Sequence, residues 1–349
     1  MASNDLVVLT GATGFLGFKV LVLALKAGHN VRVVVRSESK FAKILETPSI
    51  KSLNPSSKQL SYVVVPDMVA AGAYDEAVKG ASHVIHCASP IPSFGDEAPT
   101  PEQYEAHFVD TARKATVGIL ESIQKAGTAV RVIITSSCVA NVPFGYLIGQ
   151  GDDRVFAAED RIPVPAGPYL YEFQAYAAGK TAALNESEQW VAEHKPSFDL
   201  IGILPGWIFG KDELATKAAD FHSGSTNSAL MAVVLGTQSE VPYTGNSALV
   251  DDVAQVHVSA LDPKVKGNQA FIVSAEGRTG MVWEDAIAQV KEEFPQAVAA
   301  GVLKTSGKQP TLPLYFDVDK TEETFGFKLA GYKEQVRSLV SQYVEVVKV

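Results

Sequence analysis

Tyr176 and Lys180 bracket the small residues Ala177-Ala178-Gly179, and a spacing of four puts both on one face of a helix, one turn apart. Of the 11 tyrosines, Tyr176 alone has a lysine four positions downstream. A phenol with an ordinary pKa of ~10 exchanges protons poorly near neutrality, and a neighbouring ammonium is expected to draw that value down. The pair reads as a proton donor, Tyr176, with Lys180 as its electrostatic partner and small residues between them against which a cofactor can lie. Thr135-Ser136-Ser137 closes a β-branched run, so its hydroxyls emerge at a strand end. A hydroxyl there can bond a carbonyl oxygen and polarise it. Ser137 is the first choice for that role, with Ser136 as the alternative.

A second constellation is Thr10-Gly11-Ala12-Thr13-Gly14-Phe15-Leu16-Gly17, between the apolar run Leu6-Val7-Val8-Leu9 and a helical segment from Phe15 to Ala27. Gly11, Gly14 and Gly17 allow a tight turn, close backbone approach to a pyrophosphate and close packing of the helix on the sheet, and the free N–H groups of the helix start attract phosphate. The spacing is Gly-x-x-Gly-x-x-Gly, a variant of the general dinucleotide fingerprint. Thr13, Phe15 and Leu16 belong to the same cradle. The second strand, Val31 to Val35, is followed by Arg36 where an NAD-specific site places an acid. A guanidinium there, with Lys40 one turn on, suits a 2′-phosphate. NADPH is the expected cofactor.

These side chains need a scaffold. Further strands are read at Tyr62–Val65, His83–His86, Val130–Thr135 and Leu200–Leu204, the last closed by Pro205, with helices from Pro101 to Ala126 and from Tyr171 to Glu193. Continuous apolar strands alternating with helices predict an α/β fold: a doubly wound parallel Rossmann sheet with a smaller C-terminal α/β domain capping the substrate. The expected division is residues 1–206, with 245–275 returning to the sheet, as the NADP-binding domain, and 207–244 and 276–349 as the smaller one. Amphipathic pieces at Met281–Phe294 and Tyr332–Val347 fall in the latter.

With these residues in view, the chain resembles the extended short-chain dehydrogenases/reductases, nearest to the fungal NADPH-dependent methylglyoxal and aldehyde (carbonyl) reductases and, more distantly, to the plant dihydroflavonol reductases. Shared stretches include Val64-Val65-Pro66-Asp67-Met68, His86-Cys87-Ala88-Ser89-Pro90, Leu204-Pro205-Gly206, Val250-Asp251-Asp252-Val253-Ala254, Ile272-Val273-Ser274 and Phe325-Gly326-Phe327-Lys328. The resemblance implies that Asp67 and Met68 contact adenine, that Ala88 and Ser89 flank the ribose and nicotinamide, that Pro205 borders the nicotinamide, and that Lys180 also holds the nicotinamide ribose. Two stretches depart from the pattern. Arg113-Lys114-Ala115-Thr116 stands where many relatives carry Gly, often with a nearby Asn, so no proton relay is drawn through that helix. The Pro/Gly-rich segment from Val139 to Tyr171 is expected to shape the substrate pocket in its own way.

Composition narrows the alternatives. A net charge of −9 argues against general nucleic-acid or anionic-membrane binding. The apolar stretch from Leu6 to Leu25 is broken by the glycines into pieces too short to span a bilayer. Cys87 and Cys138 make neither a metal motif nor a disulfide framework, and they read as free thiols of a soluble, cytoplasmic protein. His86 and His257 read as packed or hydrogen-bonded structural residues, Asp251 and Asp252 as helix-start acids, and Trp207 and Phe209 as either core or pocket lining. No metal site is expected. The functional expectation is NADPH-dependent reduction of a small-molecule aldehyde or ketone by a monomer or homodimer. The rivals are an NAD-dependent sugar-nucleotide epimerase or dehydratase, against which Arg36 speaks, and a non-catalytic NADPH-binding sensor, against which Ser137, Tyr176 and Lys180 speak.

Overall fold

Seven parallel strands form the central sheet of the computed structural model, which describes residues 5–92 and 98–348. In chain order they are β1 (Leu6–Thr10), β2 (Asn30–Val35), β3 (Leu60–Val64), β4 (His83–His86), β5 (Arg131–Thr135), β6 (Asp199–Pro205) and β7 (Gln269–Val273). Their spatial order is β7-β6-β5-β4-β1-β2-β3, so the winding reverses between β1 and β4. Open sheets of this kind bind ligands at the carboxyl ends of the strands, at such a reversal.

The strands are apolar along their whole length because both faces are covered. Val7 and Leu9 of β1 join a core with Val31 and Val33 of β2, Ile201 and Ile203 of β6 and the helices α1 (Phe15–Lys26) and α5 (Val250–Ser259). Val8, Val34, Val84 and Leu200 point the other way, into a core shared with Ile119, Leu120 and Ile123 of α2 (Thr111–Ala126). Helix α3 (Glu172–His194) lies on this second side, packed against α2. A third core lies past the strand ends, built from Phe209, Leu230 of α4 (Asn227–Val234), Trp283, Val290 of α6 (Asp285–Glu293) and Leu339 of α7 (Tyr332–Val347). A two-stranded parallel pairing of Trp207–Phe209 with Ser247–Leu249 connects it to the main sheet.

Two expectations need correction. The sequence predicts six strands and not β7, whose Ala270-Phe271-Ile272-Val273 run is buried beside β6. The helix expected from Pro101 to Ala126 is three pieces: a 3-10 turn at Pro101–Gln103, a π-helix at Glu105–Asp110, and α2. The π turn widens the backbone, and Thr111 Oγ1 donates to Ala106 O at 3.0 Å, five residues back. Its cause is packing: the Phe108 carbonyl presses on Gly179 of α3, where a Cβ would sit only 2.6 Å from that oxygen. Among the described residues no helix is long and apolar enough to cross a membrane.

Candidate active site

The glycine loop is shaped by two contacts that tolerate no side chain. Gly11 has φ +78, and a Cβ there would meet Ala88 N at 2.8 Å. A Cβ at Gly17 would lie 2.2 Å from Gly11 O. Gly14 N–H donates to Gly11 O at 3.0 Å, and Gly14 caps α1 with no side-chain hydrogen bond and no acid in the first turn. The first N–H groups of α1 are therefore left for an anion. Thr13, Phe15 and Leu16 are partly exposed along the rim and Gly14 fully so.

Thr10 ties this loop to the next strand end. Its hydroxyl accepts from Ala88 N–H at 3.0 Å and pairs with His86 Nδ1 at 2.9 Å. Burial pushes the His86 pKa down to about 3, so the ring is neutral in this contact. Ala88 and Ser89 are partly open beside Gly11. Arg36 and Lys40 are exposed past the end of β2, and neither has a carboxylate partner among the described residues. Asp67 is exposed, its carboxylate accepting from Val69 N–H at 3.0 Å, and Met68 packs partly on the second core. Pro205 ends β6, buried, in register with Val273.

Tyr176 lies in α3 among aromatic rings: Phe108 edge-on at 6.5 Å, and Phe173 stacked at 6.2 Å, itself flanked by Phe144. Its phenol faces Ser137, whose hydroxyl works to lower the phenol's pKa and itself accepts from Val139 N–H at 3.4 Å. Ser136, by contrast, is buried with no partner for its hydroxyl. Lys180 follows one turn later, 6% exposed, with Nζ 5.8 Å from the Tyr176 ring centre and 3.4 Å from Thr135 O. No carboxylate faces it among the described residues, and burial lowers its pKa to about 8. A desolvated ammonium with one long hydrogen bond is short of acceptors.

Two details differ from expectation. The Tyr176 phenol is not drawn towards neutrality: burial pushes it up to about 12, against the lowering effect of the Ser137 hydrogen bond. Desolvation is the largest effect, and the Lys180 ammonium, 5.8 Å from the ring centre, does not overcome it. Gly179 and Ala178 do not leave room for a cofactor either. They seat the π-helix, Gly179 on the Phe108 carbonyl and Ala178 in a cluster with Phe108 and Val109.

Sequence reasoning passed over what stands behind Lys180. Thr135 Oγ1 pairs with His257 Nε2 at 2.8 Å, and His257 Nδ1 with Val253 O at 2.7 Å. Cys87, partly exposed, stands beside the same threonine, and burial pushes its thiol up to about 11 against the lowering effect of that hydroxyl. Cys138 is a buried free thiol donating to Leu204 O at 3.1 Å. Phe209 is pure core, whereas Trp207 is partly open, stacked on Tyr243 at 5.3 Å. A hollow of about 690 Å³ behind α3, floored by Leu184, Gly202 and Ala270, is lined by none of the candidate catalytic or cofactor-binding residues.

Comparison with known proteins gives a consistent family setting. Residues 7–274 match the model of the NAD dependent epimerase/dehydratase family. The chain is 41% identical to ketoreductase CTB6 of Cercospora nicotianae over 353 residues, covering 99% of this chain and 96% of the relative. It is 35% identical to the NAD-dependent epimerase/dehydratase ALT6 of Alternaria alternata, covering 98% of each. Among solved structures, yeast methylglyoxal/isovaleraldehyde reductase Gre2 complexed with NADPH superposes with a TM-score of 0.81 at 25% identity, over 98% of this chain and 99% of that one.

Proposed function

The chain belongs to the NAD-dependent epimerase/dehydratase family, and on that premise we propose that it is an NADPH-dependent carbonyl reductase, converting an aldehyde or ketone into an alcohol. The observation that carries the reading is the convergence of Ser137, Tyr176 and an acceptor-poor Lys180 beside the strand ends that bear the glycine loop. The residues suit a dinucleotide: a Cβ at Gly11 or Gly17 would clash with the loop backbone, the α1 start is uncapped, and Arg36 and Lys40 lack counter-charges among the described residues where a 2′-phosphate would sit. Gly11, Thr13, Gly14, Phe15, Leu16 and Gly17 would hold the pyrophosphate, Asp67 and Met68 the adenine, Ala88, Ser89 and Pro205 the nicotinamide end, and Lys180 its ribose. NADPH, when bound, supplies the hydride.

The protein supplies the rest. Ser137 holds the substrate oxygen, and Tyr176 gives it a proton from Oη. A phenol kept protonated by burial is a donor at neutral pH, which is what reduction requires; the oxygen becomes basic enough to take the proton only as hydride arrives. Lys180 then stabilises the phenolate left behind. The aromatic wall of Phe173 and Phe144 beside Tyr176 favours an apolar substituent on the carbonyl. An acid at position 36, which an NAD-dependent epimerase would use, is replaced by Arg36.

The same reading takes residues 1–206 with 245–275 as the dinucleotide-binding unit and 207–244 with 276–349 as the substrate cap, in a cytoplasmic monomer or homodimer acting on a small carbonyl compound. Tyr176→Phe tests it: NADPH should bind as before while carbonyl-dependent oxidation of NADPH falls at least a hundredfold, and retention of turnover refutes the assignment.

A further inference from the structure

His257 and Thr135 stand outside the reacting groups, yet they are joined to Lys180 by an unbroken set of hydrogen bonds. The Val253 carbonyl can only accept, so His257 Nδ1 carries the ring proton and Nε2 is the acceptor. Thr135 Oγ1, 2.8 Å from Nε2, must therefore donate to it. The chain therefore runs one way, from Thr135 to His257 to Val253. Every donor in it is used. His257 is fully buried and its pKa is lowered to about 4, so the direction does not reverse across the working range.

The fold makes this bond matter. Pairing of β4 with β5 stops at His86 and Ile134, one residue short of Thr135, which is held in the sheet only from the β6 side. Its carbonyl is nevertheless the acceptor for Lys180 Nζ. The peptide unit that carries this carbonyl is tied on the β6 side by Ser136 N–H donating to Ile203 O at 2.7 Å, and on the open side the Thr135 side chain is anchored by His257 on α5.

We propose that Thr135 and His257 are positioning residues for Lys180: the imidazole fixes the Thr135 side chain, and the Thr135 main chain fixes the ammonium. This rests on Lys180 acting as described above. The titratable groups around the ammonium are Tyr176 on its own helix, His86 and Cys87 at the end of β4, and His257 behind Thr135. Losing the carbonyl acceptor removes a bond to the charged form, so Lys180 would give up its proton at lower pH.

The test compares Thr135→Val, which keeps shape and β-branching but not the hydroxyl, with Thr135→Ser and with His257→Phe. Turnover in Thr135→Val should fall at least fivefold and its alkaline limb should move down by at least half a pH unit, with the preference for NADPH over NADH unaltered. Thr135→Ser should restore most of both. An unchanged rate and pH profile in Thr135→Val overturns the proposal. So does equal impairment of the Val and Ser variants with an unmoved profile, which would mark a merely structural role. If Thr135→Val fails to fold, His257→Phe is read by the same criteria. Tyr176→Phe is run alongside: if it stays active the reductase reading itself fails, whereas its loss with an unaffected Thr135→Val sinks only the positioning role.

Discussion

Lys180 Nζ stands 5.8 Å from the centre of the Tyr176 ring, and Thr135 O, 3.4 Å away, is its one hydrogen-bond acceptor among the described residues. An ammonium so placed is charged at a cost that a bound ligand can relieve. Folding lowers its pKa from 10.5 to about 8, so between those values the unfolded chain holds the proton more tightly. The sign follows: the penalty is full below pH 8, and stability rises as pH climbs from there towards 10.5. Hydroxyls of a bound ribose would stabilise the charged form and raise the pKa again. NADPH binding near pH 8.5 should therefore take up a fraction of a proton, measurable by calorimetry in buffers of different ionisation enthalpy. Lys180→Met should abolish that uptake, and an equal uptake in the variant would contradict it.

The cofactor preference should reside in Arg36 and Lys40, two exposed cations without a carboxylate partner among the described residues. Hydrogen bonds to a charged partner contribute about 1.5–3 kcal/mol in favourable geometry, the lower end applying to solvated groups. Arg36→Ala should weaken NADPH binding about tenfold and leave NADH binding within twofold, as read by fluorescence titration. Lys40→Ala should act in the same direction, more weakly. Equal loss for both cofactors would move the 2′-phosphate elsewhere.

Gly179 offers a mutation that acts on geometry alone. Adding one methyl group sets a Cβ 2.6 Å from the Phe108 carbonyl, and backbone on both sides has little room to yield. Overpacking of this kind costs about 1–3 kcal/mol, and here it would push α3 off the π-helix, carrying Tyr176 and Lys180 with it. Gly179→Ala should lose turnover at least tenfold while remaining folded at 25 °C by circular dichroism. Gly118→Ala, on the neighbouring α2 with open space around its Cβ, should be silent in both measurements.

Six of the seven sheet strands and the glycine loop were legible because buried parallel strands write both faces as apolar and because a phosphate cradle needs glycine at fixed spacing. The Tyr176–Lys180 pair was legible because a helical turn relates neighbours in sequence. What was hidden depends on contacts distant in the chain. Thr135 and His257 are 122 positions apart, and no local pattern marks them. The π-helix at Glu105–Asp110 answers to Gly179 on another element. The upward push on the Tyr176 phenol comes from how much of the protein surrounds it, which spacing alone does not reveal. β7 did carry a signal, four consecutive apolar residues, but one as short as many core helix segments.

Arg131 tests whether the opposite end of the sheet bears on catalysis. It opens β5 and uses all five of its donors: two on Asp199, and one each on the carbonyls of Ala260, Asp262 and Val265 with one shared nitrogen, all within 2.8 Å. The guanidinium is 7% exposed, so its removal strands a carboxylate and three carbonyls at the start of β6 and the end of α5. Removing one member of such a buried pair costs about 3–5 kcal/mol. Lysine cannot reproduce the fork, so Arg131→Lys should recover little of the loss. Urea unfolding of Arg131→Leu should show that drop, while turnover at 15 °C stays within twofold, because the reacting groups lie at the other ends of the strands. A large fall in turnover with stability intact would mean that the two sheet edges are coupled through α5 and His257.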